Sequence, residues 1–224
     1  MDPTFPDRRV AGRVLARALR HLAGPDTIIL GLPRGGLPVA DEVARDLKAP
    51  LDIVLVRKIG MPGHPELALG AIAGPEGRTK VLNNELVNLY GIDAATIEAR
   101  AAPERAELAR RRRLWGTRLQ PGALQGRVVI LVDDGIATGA TMRAAIAAVR
   151  VDHPLRVVVA APVASPDALD QVAQLADEVV CLSAPVAFIA VGQHYTSFPQ
   201  LGDEDVRAIL AAAGSGPAPS GRGP

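Results

Sequence analysis

Apolar residues are distributed in two ways along the chain. Short unbroken runs, as in TIILGL (27–32), LDIVLVRK (51–58), VVILV (128–132), LRVVVAAPVA (155–164) and DEVVCLS (177–183), read as strands buried on both faces. Between them apolar residues recur every third or fourth position, as in 36–48, 93–114, 140–150, 165–176 and 203–213, which predicts helices. Asp7 is placed to cap a first helix carrying Val10, Val14, Leu15, Ala18, Leu19 and Leu22 on one stripe. Ser165 followed by Pro166 is a second helix start. LALGAIA and TKVLN, bracketing GPEGR, suggest a hairpin, and Pro103 is expected to interrupt or restart the helix of 93–114. Strands alternating with helices predict an α/β fold: a mostly parallel sheet flanked by helices on both faces, with ligands beyond the carboxyl ends of the strands. The Gly/Pro/Ser-rich stretch 214–224 is expected to be disordered.

Composition narrows the setting. The 224 residues, 48% of them hydrophobic, suffice for one good core, and 25 Lys and Arg against 24 Asp and Glu provide no general pull toward nucleic acid. The single cysteine, Cys181, lies in a strand and reads as a small buried hydrophobe. The first residues lack an apolar core of signal-peptide length, and no apolar run could span a bilayer, so a soluble cytoplasmic setting without membrane contact is expected.

The stretch VVILVDDGIATGATMRAA (128–145) carries the chemistry. A buried strand would deliver Asp133 and Asp134 to the carboxyl edge of the sheet, and Gly135, Ile136, Ala137, Thr138, Gly139, Ala140 and Thr141 would lead into a helix. A helix start offers unpaired N–H groups and partial positive charge, and Gly139 lets a phosphate approach the backbone. Thr138 and Thr141 add hydroxyl donors. Carboxylates beside a bound phosphate suit sugar hydroxyls, or help to hold magnesium. A phosphorylated ribose meets both needs; the plain alternative is an ordinary turn with an aspartate cap. The stretch is neither a P-loop nor the G-x-G-x-x-G fingerprint.

This stretch resembles the phosphoribosyl pyrophosphate signature of type I phosphoribosyltransferases, with details closer to the adenine-type than to the hypoxanthine-guanine-type enzymes, since Ala137 stands where the latter carry an aspartate. LGLPRGG (30–36) resembles the pyrophosphate loop, with Arg34 and the N–H groups of Gly35 and Gly36 facing diphosphate and a non-proline cis peptide at Pro33–Arg34. VRKIGMPGHPE (56–66) resembles the basic residues, Arg57 and Lys58, and the mobile loop, 59–70, that close over the site on hinges at Gly60, Gly63 and Gly70. The resemblance covers about 27–183 within a single domain, 1–213, with 83–118 as a helical insertion and 183–206 as a hood. It implies a Mg2+-dependent transfer of ribose 5-phosphate from phosphoribosyl pyrophosphate to a nitrogenous base or other amine, with Asp133, Asp134, Arg34 and Lys58 as catalytic residues and a homodimer as the assembly. The alternative reading is a regulatory protein that binds the same donor or a nucleotide without turning it over.

The acceptor is expected under the hood. Phe188, Tyr195 and Phe198 could stack on a planar base there, although pinning the hood to the core is the favoured role for each. ARRRRLWGTR (109–118) follows several glutamates and reads as a charge-mixed solvated helix or a dimer contact through Trp115, not a nucleic-acid stripe. His64 could reach diphosphate or base; His21, His153 and His194 lack ligand spacing. Ser165 and Ser183 lack the context of a hydrolase nucleophile.

Overall fold

In a computed structural model, the structure describes residues 4–214 apart from Pro75, Glu76, Arg78, Arg118 and Pro121. The expected disorder of 214–224 therefore falls, except for Gly214, outside the described residues. Among the described residues, eight strands and seven α-helices follow in the order α1 (Arg8–Ala18), β1 (Thr27–Gly31), α2 (Gly36–Leu47), β2 (Leu51–Ile53), β3 (Val56–Met61), β4 (His64–Ala73), β5 (Thr79–Leu82), α3 (Asn84–Leu89), α4 (Ala94–Trp115), β6 (Val128–Val132), α5 (Ala140–Arg150), β7 (Arg156–Val163), α6 (Pro166–Ala173), β8 (Glu178–Ser183) and α7 (Asp203–Ala213). Five strands form a parallel sheet in the order β2-β1-β6-β7-β8.

The apolar runs are continuous because alternate residues bury on opposite faces. Ile28, Leu30, Val129, Leu131, Val157 and Val159 pack against Met142, Ile146 and Val149 of α5 and Val172 of α6. Ile29, Ile130, Val132, Val158 and Ala160 pack against Leu15 and Leu19 of the first helical segment and Val39, Val43 and Leu47 of α2. Asp7 caps α1 by accepting from the Val10 N–H at 2.8 Å, as its position predicts.

Four expectations are corrected. The stretch 51–58 is not one strand: β2 joins the parallel sheet, while β3 starts a separate antiparallel sheet, β3-β4-β5. The segment expected as a loop, 59–70, is largely this ribbon, because Ile59, Met61, Leu69 and Ile72 supply a buried side for it. Gly70 sits opposite Leu82, where any Cβ would strike the Val81 carbonyl oxygen, so it serves close strand packing. The helix α4 continues through Pro103 without a break. Ile97, Ala101, Leu108 and Trp115 bury one side of it against the ribbon and α7, and that burial outweighs the hydrogen bond the proline removes. Trp115 is accordingly not a dimer contact: it is buried, and its indole N–H donates to Asp203 Oδ1 at 3.2 Å. The arginines around it lie in a mixed charge pattern, with Arg110 and Arg111 both paired to Glu107.

Candidate functional site

The register of the sheet assembles the site. Gly31 at the end of β1 pairs with Val132 at the end of β6, so the turn after β1 and the two aspartates after β6 emerge side by side. The Leu32 N–H donates to the Val132 carbonyl at 2.8 Å, extending the contact by one residue. The turn Pro33–Gly36 then lies directly on the acids. The Pro33–Arg34 peptide bond is cis, as the resemblance implied. A Cβ on Gly35 would overlap the Asp134 carboxylate, and one on Gly36 would come within 2.7 Å of both the Asp133 Cα and the Val132 carbonyl oxygen. These glycines are needed first for close packing on the acidic pair. The Gly36 N–H, expected to face an anion, is instead bonded to the Leu32 carbonyl at 3.0 Å, where it closes the turn.

This close approach makes Gly35→Ala costly. The variant is expected to lose about 1–3 kcal/mol of stability from overpacking against the Asp134 carboxylate, which Arg8 holds in place. Gly24→Ala, whose Cβ would meet only Thr27 Oγ1 at 3.9 Å, serves as the control and is expected to stay within about 0.5 kcal/mol of wild type in urea unfolding.

The loop after the acids is braced from β7. Ile136 donates to Val163 at 2.9 Å, Ser165 N–H donates to Ile136 at 2.9 Å, and Ser165 Oγ donates to Ala137 at 2.6 Å while also capping α6. Gly139 takes φ of 71°, a left-handed conformation suited to glycine, and turns the chain into α5. The first-turn N–H groups of α5 lack intrahelical acceptors, and Thr138 and Thr141 beside them are exposed, an arrangement that could accept an anion. A cavity of about 470 Å³ adjoins it, lined by Thr138, Thr141 and Arg143 and, on the ribbon side, by Lys58 and Val56. Lys58 is thus placed across the cavity from the loop that follows the acids. Arg57, the next residue on the ribbon, is on its other side and donates to Glu104 of α4 at 2.6 Å, so the structure does not bring it to the site. Arg34 stands at the rim, donating to the Leu201 carbonyl at 3.0 Å and lying 3.3 Å from Asp203 at the start of α7.

The two acids differ in surroundings. Asp133 is partly exposed and its Oδ1 accepts from the Asp134 N–H at 2.9 Å; scarce solvent, and then the neighbouring Asp134 charge, hold its carboxyl well above the ordinary range. Burial also raises Asp134, but a charged partner opposes the rise: Arg8 Nε donates to Asp134 Oδ2 at 2.7 Å. Arg8 has no local sequence signal, since it lies 126 residues from its partner. In the hood, Tyr195 is buried and its hydroxyl donates to the Asp134 carbonyl at 2.6 Å, which makes it a pin for the site's backbone and removes it as a stacking surface for a base. Burial drives its hydroxyl far above the usual phenol range. Phe198 lies under the Arg8 guanidinium, 3.6 Å from ring centroid to the guanidinium carbon, and Phe188 stacks on His194 at 5.5 Å. Among the described residues no cluster of three or more His, Cys, Asp or Glu side chains could hold a metal ion, and no helix is long and apolar enough to cross a membrane.

Paired acids at the end of a central parallel strand, a glycine-turned loop after them and an arginine turn packed against them thus meet at one edge of the sheet. Residues 8–196 match the family model for the phosphoribosyl transferase domain, and the chain belongs to that family. It is 47% identical over 209 residues to a Mycobacterium tuberculosis protein provisionally named a phosphoribosyl transferase; the match covers 93% of the chain but 47% of that protein, so the chain spans about half the length of this relative. A bifunctional PyrR protein of Pelotomaculum thermopropionicum is 32% identical over 121 residues, covering 53% of the chain and 60% of that protein. The crystal structure of TT1426 from Thermus thermophilus superposes with a TM-score of 0.79 at 48% identity, covering 93% of the chain and 98% of TT1426.

Proposed function

We propose that the protein transfers ribose 5-phosphate from phosphoribosyl pyrophosphate to a nitrogen of a base or other amine, in a magnesium-dependent reaction that releases diphosphate. The observation that carries this reading is the contact of Asp133 and Asp134 with the Arg34-Gly35-Gly36 turn on one side and the braced anion loop on the other. The α5 N–H groups, Thr138 and Thr141 take the 5-phosphate, and Asp133 and Asp134 accept hydrogen bonds from the ribose hydroxyls. Arg34 faces the diphosphate from the rim. Lys58 adds positive charge from the ribbon wall. The acceptor nitrogen forms its bond to C1 of the ribose as the C1–oxygen bond to diphosphate breaks. Positive charge develops on the sugar in between, where the two carboxylates favour it electrostatically. The ribbon and hood exclude water that would hydrolyse the donor.

The donor set fits magnesium carried by the substrate rather than a protein cage. Asp134 already spends one carboxylate oxygen on Arg8, which leaves Asp133 as the carboxylate suited to contact a cation held mainly by phosphate oxygens. When bound, that ion supplies neutralisation of the leaving diphosphate. Of the hood aromatics, Phe188 is the one not committed to the acidic pair or its arginine, and it is the best candidate for contact with a planar acceptor. The test is incubation with the donor, magnesium and a panel of bases, reading diphosphate. Release with one acceptor is expected; donor binding without release for any acceptor would turn the assignment to a sensor.

A further inference from the structure

We propose that Arg8 is a positioning residue of the active site, which fixes the Asp134 carboxylate for sugar recognition and ties that carboxylate to the hood. The proposal rests on the reading of the acids as acceptors for ribose hydroxyls. The side chain makes three different contacts at once. Its Nε donates to Asp134 Oδ2 at 2.7 Å, its Nη1 donates to the Pro199 carbonyl at 2.8 Å, and its planar face covers the Phe198 ring at 3.6 Å. Arg8 and Asp134 are both about nine-tenths buried. A guanidinium alone among side chains can direct two N–H groups to separate acceptors while stacking on a ring.

Asp134 is therefore gripped at both ends, its carboxylate by Arg8 and its carbonyl by the Tyr195 hydroxyl at 2.6 Å. Oδ2 lies between the Arg8 guanidinium and Gly35, closest of the carboxylate atoms to a Cβ placed on that glycine, and this hold on one oxygen sets the direction of Oδ1. The chain ahead of Arg8 is laced to the same hood: Phe5 N–H donates to His194 at 2.8 Å, Thr196 N–H to Phe5 at 2.8 Å and Ser197 N–H to Pro6 at 2.9 Å. Arg8 stands where this lacing meets helix α1, whose start Asp7 caps. Hood, first helix and acid thus form one unit. A side chain that merely glued the hood down would have no reason to place its strongest donor on an acid of the site.

The experiment compares binding of ribose 5-phosphate with its 2-deoxy and 3-deoxy analogues to wild type, Arg8→Lys and Arg8→Met by calorimetry, with circular dichroism and melting to establish folding. Wild type is expected to prefer the ribose over at least one analogue by about tenfold, the worth of a charge-assisted hydrogen bond. Arg8→Met is expected to bring that preference to within about twofold, because a freely rotating carboxylate no longer presents one acceptor geometry. Arg8→Lys keeps the charge but cannot make all three contacts, and is expected to lose about threefold or more of the preference; it carries the test if Arg8→Met does not fold. A purely structural role would weaken all three ligands equally and leave the preference intact, and that result in either folded variant overturns the proposal. A wild type that binds ribose 5-phosphate without preference would instead overturn the reading of the acids themselves, and the proposal with it.

Discussion

Arg8→Met is expected to cost about 3–5 kcal/mol of folding stability, the range for removing one partner from a buried ion pair. Asp134 would stay in its buried position with its charge uncompensated, and the Pro199 carbonyl and the Phe198 face would lose their partner as well. The pair itself is not expected to be worth that much, because desolvating two charges consumes most of their attraction. The double variant Arg8→Met with Asp134→Asn separates the two quantities. With no charge left to strand, it is expected to lie within about 2 kcal/mol of wild type, so the two changes together cost less than Arg8→Met alone. Urea unfolding of the four proteins of this cycle provides the measurement. Equal costs for the single and double variants would mean that Arg8 acts through its hood contacts and not through the acid.

Asp133→Asn is expected to move stability and activity in opposite directions. The Asp133 carboxyl is held well above its ordinary range by scarce solvent and by the charge of Asp134. A carboxyl whose folded-state pKa is raised binds its proton more tightly in the native protein than in the unfolded chain. Its cost to stability is fully present above the folded-state pKa, and falling pH relieves it between that value and the unfolded one near 3.8. An amide has no such cost, and its oxygen can still accept from the Asp134 N–H. The variant is therefore expected to be about 0.5–2 kcal/mol more stable than wild type at neutral pH, with the gap closing as the solution is acidified. Turnover is expected to fall by about 100-fold or more, since in the proposed reaction the carboxylate faces the sugar where positive charge develops. A constant stability gap across the pH range would show that the repulsion is absent. Unchanged diphosphate release would remove Asp133 from the reaction.

Much of this site was legible in linear form because its parts are local. Strand 128–132, the acids and the glycine-turned loop lie within fourteen consecutive residues, and each carries its own physical signature: an apolar run, paired charge, a left-handed glycine. The turn 33–36 was equally readable, but the use of its glycines was not. Their dominant role is to admit the acids of a strand a hundred residues on, and only pairing of Gly31 with Val132 creates that demand. Arg57 and Lys58 show the limit of reading adjacent residues as a group. On a strand, neighbours point to opposite sides, and here one side meets Glu104 while the other meets the cavity lined by Thr138 and Thr141. The continuation of α4 through Pro103 was also beyond local rules, since its support comes from the ribbon and α7.

The sequence by itself determined the alternation of strands and helices, the burial of the central sheet on both faces, and the location of the acids and the glycine-turned loop after them. These follow from periodicity, capping and turn chemistry within a few residues. Tertiary structure alone decided that β3 leaves the parallel sheet for a ribbon, that Trp115 is core, that Tyr195 and Phe198 serve the acids, and that Arg8 is their counter-charge. Those outcomes depend on which surfaces meet once the chain has closed, and burial and ion pairing between residues far apart in sequence leave no trace in the pattern around either one.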